Sequence, residues 1–280
     1  MNPQELLTSA QIQWCPGCGN FGILTAIKAV IEELHQPREK IVIVTGIGNH
    51  AKIADYLNVN SFYSIHGRAF PAATAIKLAN PELQVICFAG DGDSYAEGLD
   101  HLIFAAKRNI DITAIIHDNR VYALATAQFT PTAPLGFRGS TTPFGTVEHP
   151  FNPLELMLVS GASFIARGYP ARAGHFQRLI REAIRHRGFS FVDVLQVCAT
   201  YNNLYGFYNK NVQEIEAGDP SSLKEASQII RAWDYNSEGP IAIGKFYDVD
   251  RPRFEESFAG YRARPADREA KLQEAFEQLV

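Results

Sequence analysis

The sequence predicts an α/β protein built on a mainly parallel sheet flanked by helices. Apolar runs with the length and β-branched content of buried strands alternate with segments whose apolar residues recur at helical spacing. In the clearest case, a predicted strand at 85–89 is followed by a helix that carries Leu99, Leu102 and Ala106 on one face, and then by a second strand at 112–116. This is a βαβ unit, and such units build parallel sheets.

The same alternation continues on both sides of this unit. Helices are predicted at 23–34, 71–78, 176–187, 223–233 and 265–280, and strands at 41–44, 163–168, 189–197 and 241–247. Beyond Asn202 the pattern loosens, and 214–221 is predicted to be a linker. We therefore expect a main domain over 1–205 and a C-terminal extension over 206–280 that packs on the core or on a partner.

Composition excludes several classes of protein. The chain has 280 residues, of which 46% are hydrophobic, a net charge of −4 and a pI near 6.1, so it carries no electrostatic footprint for nucleic acid or anionic membrane. Its apolar runs are far short of a membrane span, and its start lacks the features of a signal peptide. Four cysteines do not form a disulfide framework in such a chain. We expect a cytoplasmic protein.

Polar residues follow the two strands of the βαβ unit. Gly90-Asp91-Gly92-Asp93 ends the first strand and Asn119 follows the second. Both strand ends lie at the carboxyl edge of a parallel sheet, where open α/β sheets bind ligands. Mg²⁺ takes carboxylate and amide oxygens together with those of a diphosphate, and the glycines allow a phosphate to approach the backbone closely. The alternative is an ordinary turn followed by a capping Asn.

A Cys-x-x-Cys pair lies in a short loop before the first helix. Cys15 and Cys18 have the spacing that metal sites, iron–sulfur clusters and redox dithiols require. No strand precedes the pair, as a thioredoxin-like motif would need, so the sequence favours a cluster over a redox dithiol. A tight turn with two buried thiols is the structural alternative.

Two further strand ends carry candidate ligands. The run 41–44 leads into Gly46-Ile47-Gly48, after which Lys52 can offer its ammonium to a carboxylate or lie in solvent at a helix start. His66 lies at a strand-to-helix junction, where it can hydrogen-bond a phosphate or cap the turn. The segment 130–150, without apolar periodicity, is predicted to be a long loop over the cofactor site or against a partner, or a solvated excursion.

Six blocks in order resemble the β subunit of 2-oxoacid:ferredoxin oxidoreductases, close to the 2-oxoglutarate type, over nearly the whole chain. One part of the chain is similar to the diphosphate and magnesium motif of thiamine-diphosphate enzymes. It consists of a strand, Gly-Asp-Gly, a helix, a second strand and Asn, in that order. The blocks are Trp14-Cys15-Pro16-Gly17-Cys18-Gly19-Asn20-Phe21-Gly22, Gly46-Ile47-Gly48, Ile65-His66-Gly67-Arg68-Ala69, Gly90-Asp91-Gly92-Asp93, His117-Asp118-Asn119 with Val121-Tyr122, and Leu195-Gln196-Val197-Cys198-Ala199-Thr200-Tyr201-Asn202.

The resemblance implies a role for each matching residue. Asp91, Asn119 and the Val121 carbonyl would bind Mg²⁺, Lys52 would lie near the substrate carboxylate, and Leu124 beside the thiazolium ring. The cofactor-binding residues that it implies are Gly48, His66, Gly67, Gly90, Asp91, Gly92, Asp93, Asn119, Val121 and Tyr122.

The sequence departs from the family at the iron–sulfur site. Cys15, Cys18 and Cys198 match three of the family's four cluster cysteines, but Asn49 stands at the fourth position, and Cys87 lies inside a strand where the family needs no ligand. A [4Fe-4S] cluster could be completed by His50, Asn49 or water; it could have lost that iron; or the site could be empty. We expect a cluster held by the three cysteines.

The implied activity is oxidative decarboxylation of a 2-oxoacid, either 2-oxoglutarate or pyruvate, to an acyl-CoA, with electrons passing through the cluster to ferredoxin. In the family the α subunit supplies the carboxylate that activates the thiamine pyrimidine, so the chain is expected to be inactive alone and to form an αβ or (αβ)2 complex. The alternatives are a non-oxidative thiamine-diphosphate decarboxylase subunit without a cluster, and a non-catalytic assembly subunit.

Overall fold

The computed structural model describes residues 6–215, 217–261 and 265–278. Ten strands and nine α-helices are found there. The strands are β1 (Ile41–Thr45), β2 (Asn60–Tyr63), β3 (Gln84–Gly90), β4 (Thr113–Asp118), β5 (Val121–Tyr122), β6 (Gln128–Phe129), β7 (Phe164–Gly168), β8 (Ser190–Leu195), β9 (Val212–Glu214) and β10 (Ile241–Asp248). The helices are α1 (Asn20–Leu34), α2 (Ile53–Tyr56), α3 (Ala69–Ala79), α4 (Leu99–Arg108), α5 (Pro153–Ser160), α6 (Ala173–Arg185), α7 (Tyr205–Asn211), α8 (Leu223–Arg231) and α9 (Pro265–Glu277).

Eight of these strands form one sheet in the order β2-β1-β3-β4-β8-β7-β10-β9, and β5 pairs with β6 outside it. From β2 to β7 all neighbours are parallel. β10 pairs antiparallel with β7 and parallel with β9, so the last two strands run in the opposite direction. The predicted fold, a mainly parallel sheet flanked by helices, is confirmed.

Successive side chains of the central strands point to opposite faces of the sheet and contribute to two hydrophobic cores. In β1, Val42 and Val44 face one core, while Ile41 and Ile43 face the other. The first core packs against α3, α4, α5 and α8, and the second against α1, α2 and α6. Strands covered on both faces read as continuous apolar runs, which is why β1, β3 and β4 were predictable.

Two elements, β9 and α5, carried weak signals in the sequence. β9 has three residues, of which Gln213 and Glu214 are exposed, and its last residue falls in the predicted linker. Helix α5 was not predicted, although Asn152 caps it by accepting bonds from the Leu154 and Glu155 backbone N–H groups. The predicted absence of a signal peptide and the end of the last predicted helix involve residues 1–5 and 279–280, which lie outside the described residues.

A buried polar network joins β7 and β8 to the segment after α8. The Asp193 carboxylate accepts hydrogen bonds from the hydroxyls of Tyr95 (2.7 Å) and Tyr235 (2.6 Å). Arg167 donates to the Tyr235 hydroxyl at 3.0 Å, and its guanidinium lies over the Trp233 ring. The network therefore ties the C-terminal region to the centre of the sheet. The division at 205/206 stays a prediction.

None of the helices in the described part of the chain is long and apolar enough to cross a membrane.

Candidate functional site

A cavity of about 410 Å³ opens at the carboxyl ends of β1, β3 and β4. It brings together most of the residues predicted to form the site. The predicted residues that line it are Gly48, His66, Gly90, Asp91, Gly92, Asp93, Asn119, Val121, Tyr122 and Leu124, and they are joined by Ile47, Asn49, His50, Ala123 and Ala125.

Asp91 places a carboxylate at the floor of the cavity. It is 3% exposed, and its Oδ2 accepts a 2.6 Å hydrogen bond from the Thr130 hydroxyl. Burial raises the pKa of Asp91 to about 6, although the Thr130 hydroxyl and backbone N–H groups favour the ionised form. A cation beside this carboxylate would offset the cost of burying its charge.

Asn119 and Val121 add neutral oxygens to the same cavity. The Asn119 Oδ1 accepts a hydrogen bond from the Val121 N–H at 3.1 Å, and its Nδ2 donates to Gln196 Oε1 at 2.7 Å. The orientation of this amide is therefore fixed. One carboxylate, one amide oxygen and a carbonyl form a donor set of the kind that Mg²⁺ accepts beside a diphosphate, so these residues fit the predicted metal.

Asp93 holds two imidazoles instead of facing a metal. Its Oδ1 lies 3.0 Å from His66 Nδ1, and its Oδ2 lies 3.4 Å from His50 Nε2. The Gly67 backbone N–H also donates to Oδ1 at 2.6 Å. Burial opposes ionisation, but the two imidazoles outweigh it and lower the pKa of the Asp93 carboxyl. A Cβ at Gly46 would lie 1.7 Å from Asp93 Oδ2, so a glycine is needed there.

His66 and Tyr122 line the cavity, and Glu97 contacts both of them. The Nε2 of His66 lies 3.3 Å from Glu97 Oε2, and the Tyr122 hydroxyl donates to the Glu97 carboxylate at 3.0 Å. A hydrogen bond to the Asp93 carboxylate raises the pKa of His66, which favours the cationic ring beside an anionic ligand. Tyr122 packs on Gly92, where a Cβ would lie 2.1 Å from its ring.

Two predicted residues lie apart from the lining. The ammonium of Lys52 donates to Gln13 Oε1 at 2.8 Å, and Lys52 does not line the cavity. Gly67 contributes its backbone N–H to Asp93 rather than a surface to the cavity. Their predicted roles toward substrate and cofactor stay predictions.

The three predicted cluster cysteines approach one another beside the end of β8. The Cys18 N–H donates to the Cys15 carbonyl at 3.0 Å, and the Gly19 N–H donates to the Val197 carbonyl at 3.0 Å. Burial, with smaller contributions from the Cys198 and Cys15 thiols, raises the pKa of Cys18 to about 11. The three thiols are therefore close enough to interact electrostatically.

The three cysteines are not arranged as a metal site in the described part of the chain. Within the described residues, no group of three or more His, Cys, Asp and Glu side chains has an arrangement that could hold a metal ion. Asn49 lies next to the cysteine loop, because its carbonyl accepts a 2.7 Å hydrogen bond from the Trp14 indole. His50 is turned away from that loop and lines the cofactor cavity.

The side chains that support the predicted ligands were not identified from the sequence. Thr130 and Thr132 lie in a segment without periodicity, yet Thr130 bonds Asp91, and Thr132 donates to Asp118 Oδ1 at 2.7 Å. Only the Asp118 carboxylate could have been predicted from the sequence to have hydrogen-bond partners, because it lies at the end of an apolar strand, where a buried carboxylate requires them. Gln196 was recognised only as part of a matching block.

Comparison with known proteins agrees with this geometry. Residues 20–194 match the family model described as "Thiamine pyrophosphate enzyme, C-terminal TPP binding domain", and residues 198–263 match the model of the C-terminal part of the pyruvate ferredoxin oxidoreductase β chain. The 2-oxoacid:ferredoxin oxidoreductase subunit beta of Saccharolobus solfataricus is 39% identical over 245 residues, covering 82% of this chain and 80% of that protein. The chain belongs to the 2-oxoacid:ferredoxin oxidoreductase β-subunit family.

Other members of the family match over similar lengths. The 2-oxoglutarate synthase subunit KorB of Methanocaldococcus jannaschii is 35% identical over 247 residues, which cover 87% of this chain and 90% of that protein. A solved structure of 2-oxoglutarate:ferredoxin oxidoreductase from Magnetococcus marinus, with 2-oxoglutarate, coenzyme A and succinyl-CoA bound, superposes with a TM-score of 0.88 at 31% identity. It covers 94% of this chain and 90% of that one. The predicted family is confirmed.

Proposed function

We propose that this β subunit binds thiamine diphosphate with Mg²⁺ and catalyses the oxidative decarboxylation of a 2-oxoacid to an acyl-CoA together with an α subunit. The observation that carries the proposal is the convergence of Asp91, Asn119 and Val121 on one cavity at the carboxyl edge of the sheet. This edge is where open α/β sheets bind ligands, and membership of the family supports the same assignment.

Different residues of the cavity would bind different parts of the cofactor. Asp91, Asn119 and the Val121 carbonyl would hold Mg²⁺, while Gly90, Gly92 and the His66 imidazole would receive the diphosphate. When bound, thiamine diphosphate supplies the electron sink that decarboxylation of a 2-oxoacid requires. Leu124, 62% exposed at the rim of the cavity, would contact the thiazolium ring. Lys52 would approach the substrate carboxylate only after leaving Gln13.

The iron–sulfur site is the second part of the proposal. Cys15, Cys18 and Cys198 would hold a [4Fe-4S] cluster that passes electrons to ferredoxin. The fourth iron would take its remaining ligand near Asn49. The position of His50 in the cofactor cavity argues against this imidazole as the fourth ligand. The Magnetococcus enzyme supports 2-oxoglutarate as the 2-oxoacid and coenzyme A as the acyl acceptor.

The experiment is anaerobic purification of the chain with its α partner, followed by determination of thiamine diphosphate, Mg²⁺, iron and acid-labile sulfide per β chain. We expect one thiamine diphosphate and about four irons, and ferredoxin reduction that depends on 2-oxoglutarate and coenzyme A. The Asp91→Ala variant should lose thiamine diphosphate and retain iron. A wild-type complex that binds no thiamine diphosphate would overturn the proposal.

A non-oxidative decarboxylase subunit is the second candidate, and the single observation that favours it is Asn49 at the position of the fourth cysteine. It requires thiamine diphosphate without iron, and 2-oxoacid decarboxylation without ferredoxin reduction. A non-catalytic assembly subunit would bind neither cofactor, although the intact Asp91 and Asn119 argue against it.

A further inference from the structure

One buried guanidinium connects the proposed Mg²⁺ site with the C-terminal region. Arg120 lies between Asn119 and Val121 in the chain and is 4% exposed. Its Nε donates to the Thr132 carbonyl at 2.7 Å, and its guanidinium also donates to the Tyr235 carbonyl. We infer that Arg120 is a positioning residue: it holds the turn that presents these two ligands, and it holds the segment that supports the third proposed ligand. The inference rests on the proposed function.

The turn between the two ligands has an unusual backbone. Arg120 has a φ of 67°, in the left-handed region that residues with a Cβ rarely adopt. Its N–H donates to Asp118 Oδ1 at 3.2 Å, and the Val121 N–H donates to Asn119 Oδ1 at 3.1 Å. The turn is therefore held by side-chain contacts where a glycine would adopt the conformation freely, and the Arg120 side chain supplies the contacts that leave the turn.

The same guanidinium fixes the segment that supports Asp91. The Thr130 hydroxyl donates to Asp91 Oδ2 at 2.6 Å, and the Thr132 hydroxyl donates to Asp118 Oδ1 at 2.7 Å. Both threonines follow β6 in a segment that belongs to no helix or strand. The bond from Arg120 to the Thr132 carbonyl therefore helps to set where the two hydroxyls lie. Through it, Arg120 acts on the orientation of the Asp91 carboxylate.

The C-terminal region provides the other anchor. The Tyr235 hydroxyl donates to Asp193 on β8 at 2.6 Å, so the carbonyl that receives Arg120 belongs to a residue fixed to the centre of the sheet. A second bond joins the same segments, because the Leu135 N–H donates to Asn236 Oδ1 at 2.9 Å. The position of the segment 132–135 therefore depends on residues that come about 100 positions later in the chain.

An arginine suits this position better than a lysine. A guanidinium carries its N–H groups in a planar fork, so one side chain can donate to two carbonyls and still stack on an aromatic ring. Arg120 does both, since its guanidinium lies 5.7 Å from the centre of the Trp233 ring. Loss of the fork leaves two carbonyls without their charged donor. We expect this to weaken the affinity of the site for a divalent cation by about tenfold.

The test uses the complex of this chain with its α partner, stripped of metal and of thiamine diphosphate. Arg120→Gly keeps the left-handed turn and removes the guanidinium, whereas Arg120→Lys keeps the charge and removes the fork. Mn²⁺ is the probe, because it accepts the same oxygen ligands as Mg²⁺, and EPR measures the free ion during titration with saturating thiamine diphosphate. Both variants should raise the Kd for Mn²⁺ by about tenfold.

The matched control is Arg167→Lys. Arg167 is the other fully buried guanidinium of this network; it donates to the Tyr235 hydroxyl and to the Ala242 carbonyl and does not line the cavity. We expect Arg167→Lys to lower the melting temperature and to leave the Kd for Mn²⁺ unchanged. A loss of stability alone would therefore be separated from a loss of positioning.

A second measurement needs no metal. Hydrogen exchange of the backbone amides of 128–133 in the stripped complex should be about tenfold faster in Arg120→Gly than in wild type, and unchanged in Arg167→Lys. This measurement reports directly on whether Arg120 holds the segment.

Each result supports or overturns the inference. An unchanged Kd in both Arg120 variants would overturn the positioning role, and so would an equal rise of the Kd in Arg167→Lys. If Arg120→Gly does not fold, Arg120→Lys decides by the same two measurements. A wild-type complex that binds no Mn²⁺ with thiamine diphosphate would overturn the proposed function and the role toward the metal, while hydrogen exchange would still decide whether Arg120 holds 128–133.

Discussion

The Asp91 carboxylate is buried, yet it must be ionised to bind a cation. Burial raises its pKa to about 6, from an ordinary value of 3.8. A raised carboxyl pKa favours the folded state while the group is protonated, and this contribution is lost as the pH rises through 6. Without metal, therefore, Asp91 should destabilise the chain more at pH 7 than at pH 5.

The substitution Asp91→Asn tests this sign, because asparagine stays neutral at both pH values. In metal-free chain we expect Asp91→Asn to be about 1–3 kcal/mol more stable than wild type at pH 7, and about half as much more stable at pH 5. Urea unfolding at the two pH values measures the difference. An equal effect of the substitution at pH 5 and pH 7 would show that the carboxyl does not change charge between them.

His50 tests the fourth position of the iron–sulfur site. Its imidazole is 7% exposed, lies against Gly90 and places Nε2 3.4 Å from Asp93 Oδ2. We expect His50→Gln to weaken thiamine-diphosphate binding by about tenfold and to leave iron unchanged. His101→Gln on α4 is the control, and binding titration and iron analysis are the measurements. Loss of iron with unchanged binding would assign His50 to the cluster.

At the scale of single elements, the turn after β1 depends on Gly46. A Cβ there would overlap the Asp93 carboxylate, which two imidazoles hold in place. We expect Gly46→Ala to lower the free energy of unfolding by about 1–3 kcal/mol through overpacking. Gly174→Ala in α6, where a Cβ meets nothing within 4 Å, should be neutral or stabilising. Denaturant unfolding compares the two, and equal effects would contradict the proposed clash.

The network between β7, β8 and the segment after α8 gives a second matched pair. Tyr235 and Tyr208 are both buried, but the Tyr235 hydroxyl bonds Asp193 and Arg167, whereas the Tyr208 hydroxyl has no hydrogen-bond partner in the described part of the chain. We expect Tyr235→Phe to cost about 1.5–3 kcal/mol and Tyr208→Phe close to nothing. Thermal and urea unfolding measure both. A cost for Tyr208→Phe as large as that for Tyr235→Phe would refute the assignment.

The predictability of each element follows from where its partners lie in the sequence. β3 and β4 were predictable because each is apolar by itself, and α4 because its apolar residues recur at helical spacing. The ligands at the ends of the two strands are adjacent to them in the chain. β9 has two exposed residues out of three, so its pairing with β10 leaves no pattern. The contact of Thr130 with Asp91 joins residues 39 apart through a loop without periodicity, so only the folded chain reveals it.

At the scale of the whole molecule, several large apolar side chains are exposed near the cavity or in the loop 130–150. Phe144 is 96% exposed, Val147 89%, Ile65 73% and Leu124 62%. Where exposed apolar side chains form one contiguous patch, the patch marks a surface that binds other proteins. The loop was predicted to cover the cofactor site or contact a partner, and the α subunit is the partner that the family implies. The assignment of this surface to α stays a prediction.

We expect the double variant Phe144→Ser, Val147→Ser to weaken association with the α subunit by at least about tenfold and to leave the melting temperature of the isolated chain unchanged. Val159→Ser, which removes an apolar side chain 74% exposed on α5, should not affect association. Analytical ultracentrifugation of the mixed subunits is the measurement. Normal association of the double variant with the α subunit would show that these two side chains face solvent in the complex and do not contact α.

The place of β8 in the sheet also sets an order of events during synthesis on the ribosome. β8 lies between β4 and β7, and residues 196–198 follow it directly. Cys15 and Cys18 emerge about 180 residues before Cys198, and until β8 is made the centre of the sheet remains open. A cluster held by these three cysteines can therefore be inserted only after more than two-thirds of the chain has been translated. Delivery of iron and sulfide to a site made by all three cysteines would therefore have to follow the synthesis of β8 and Cys198.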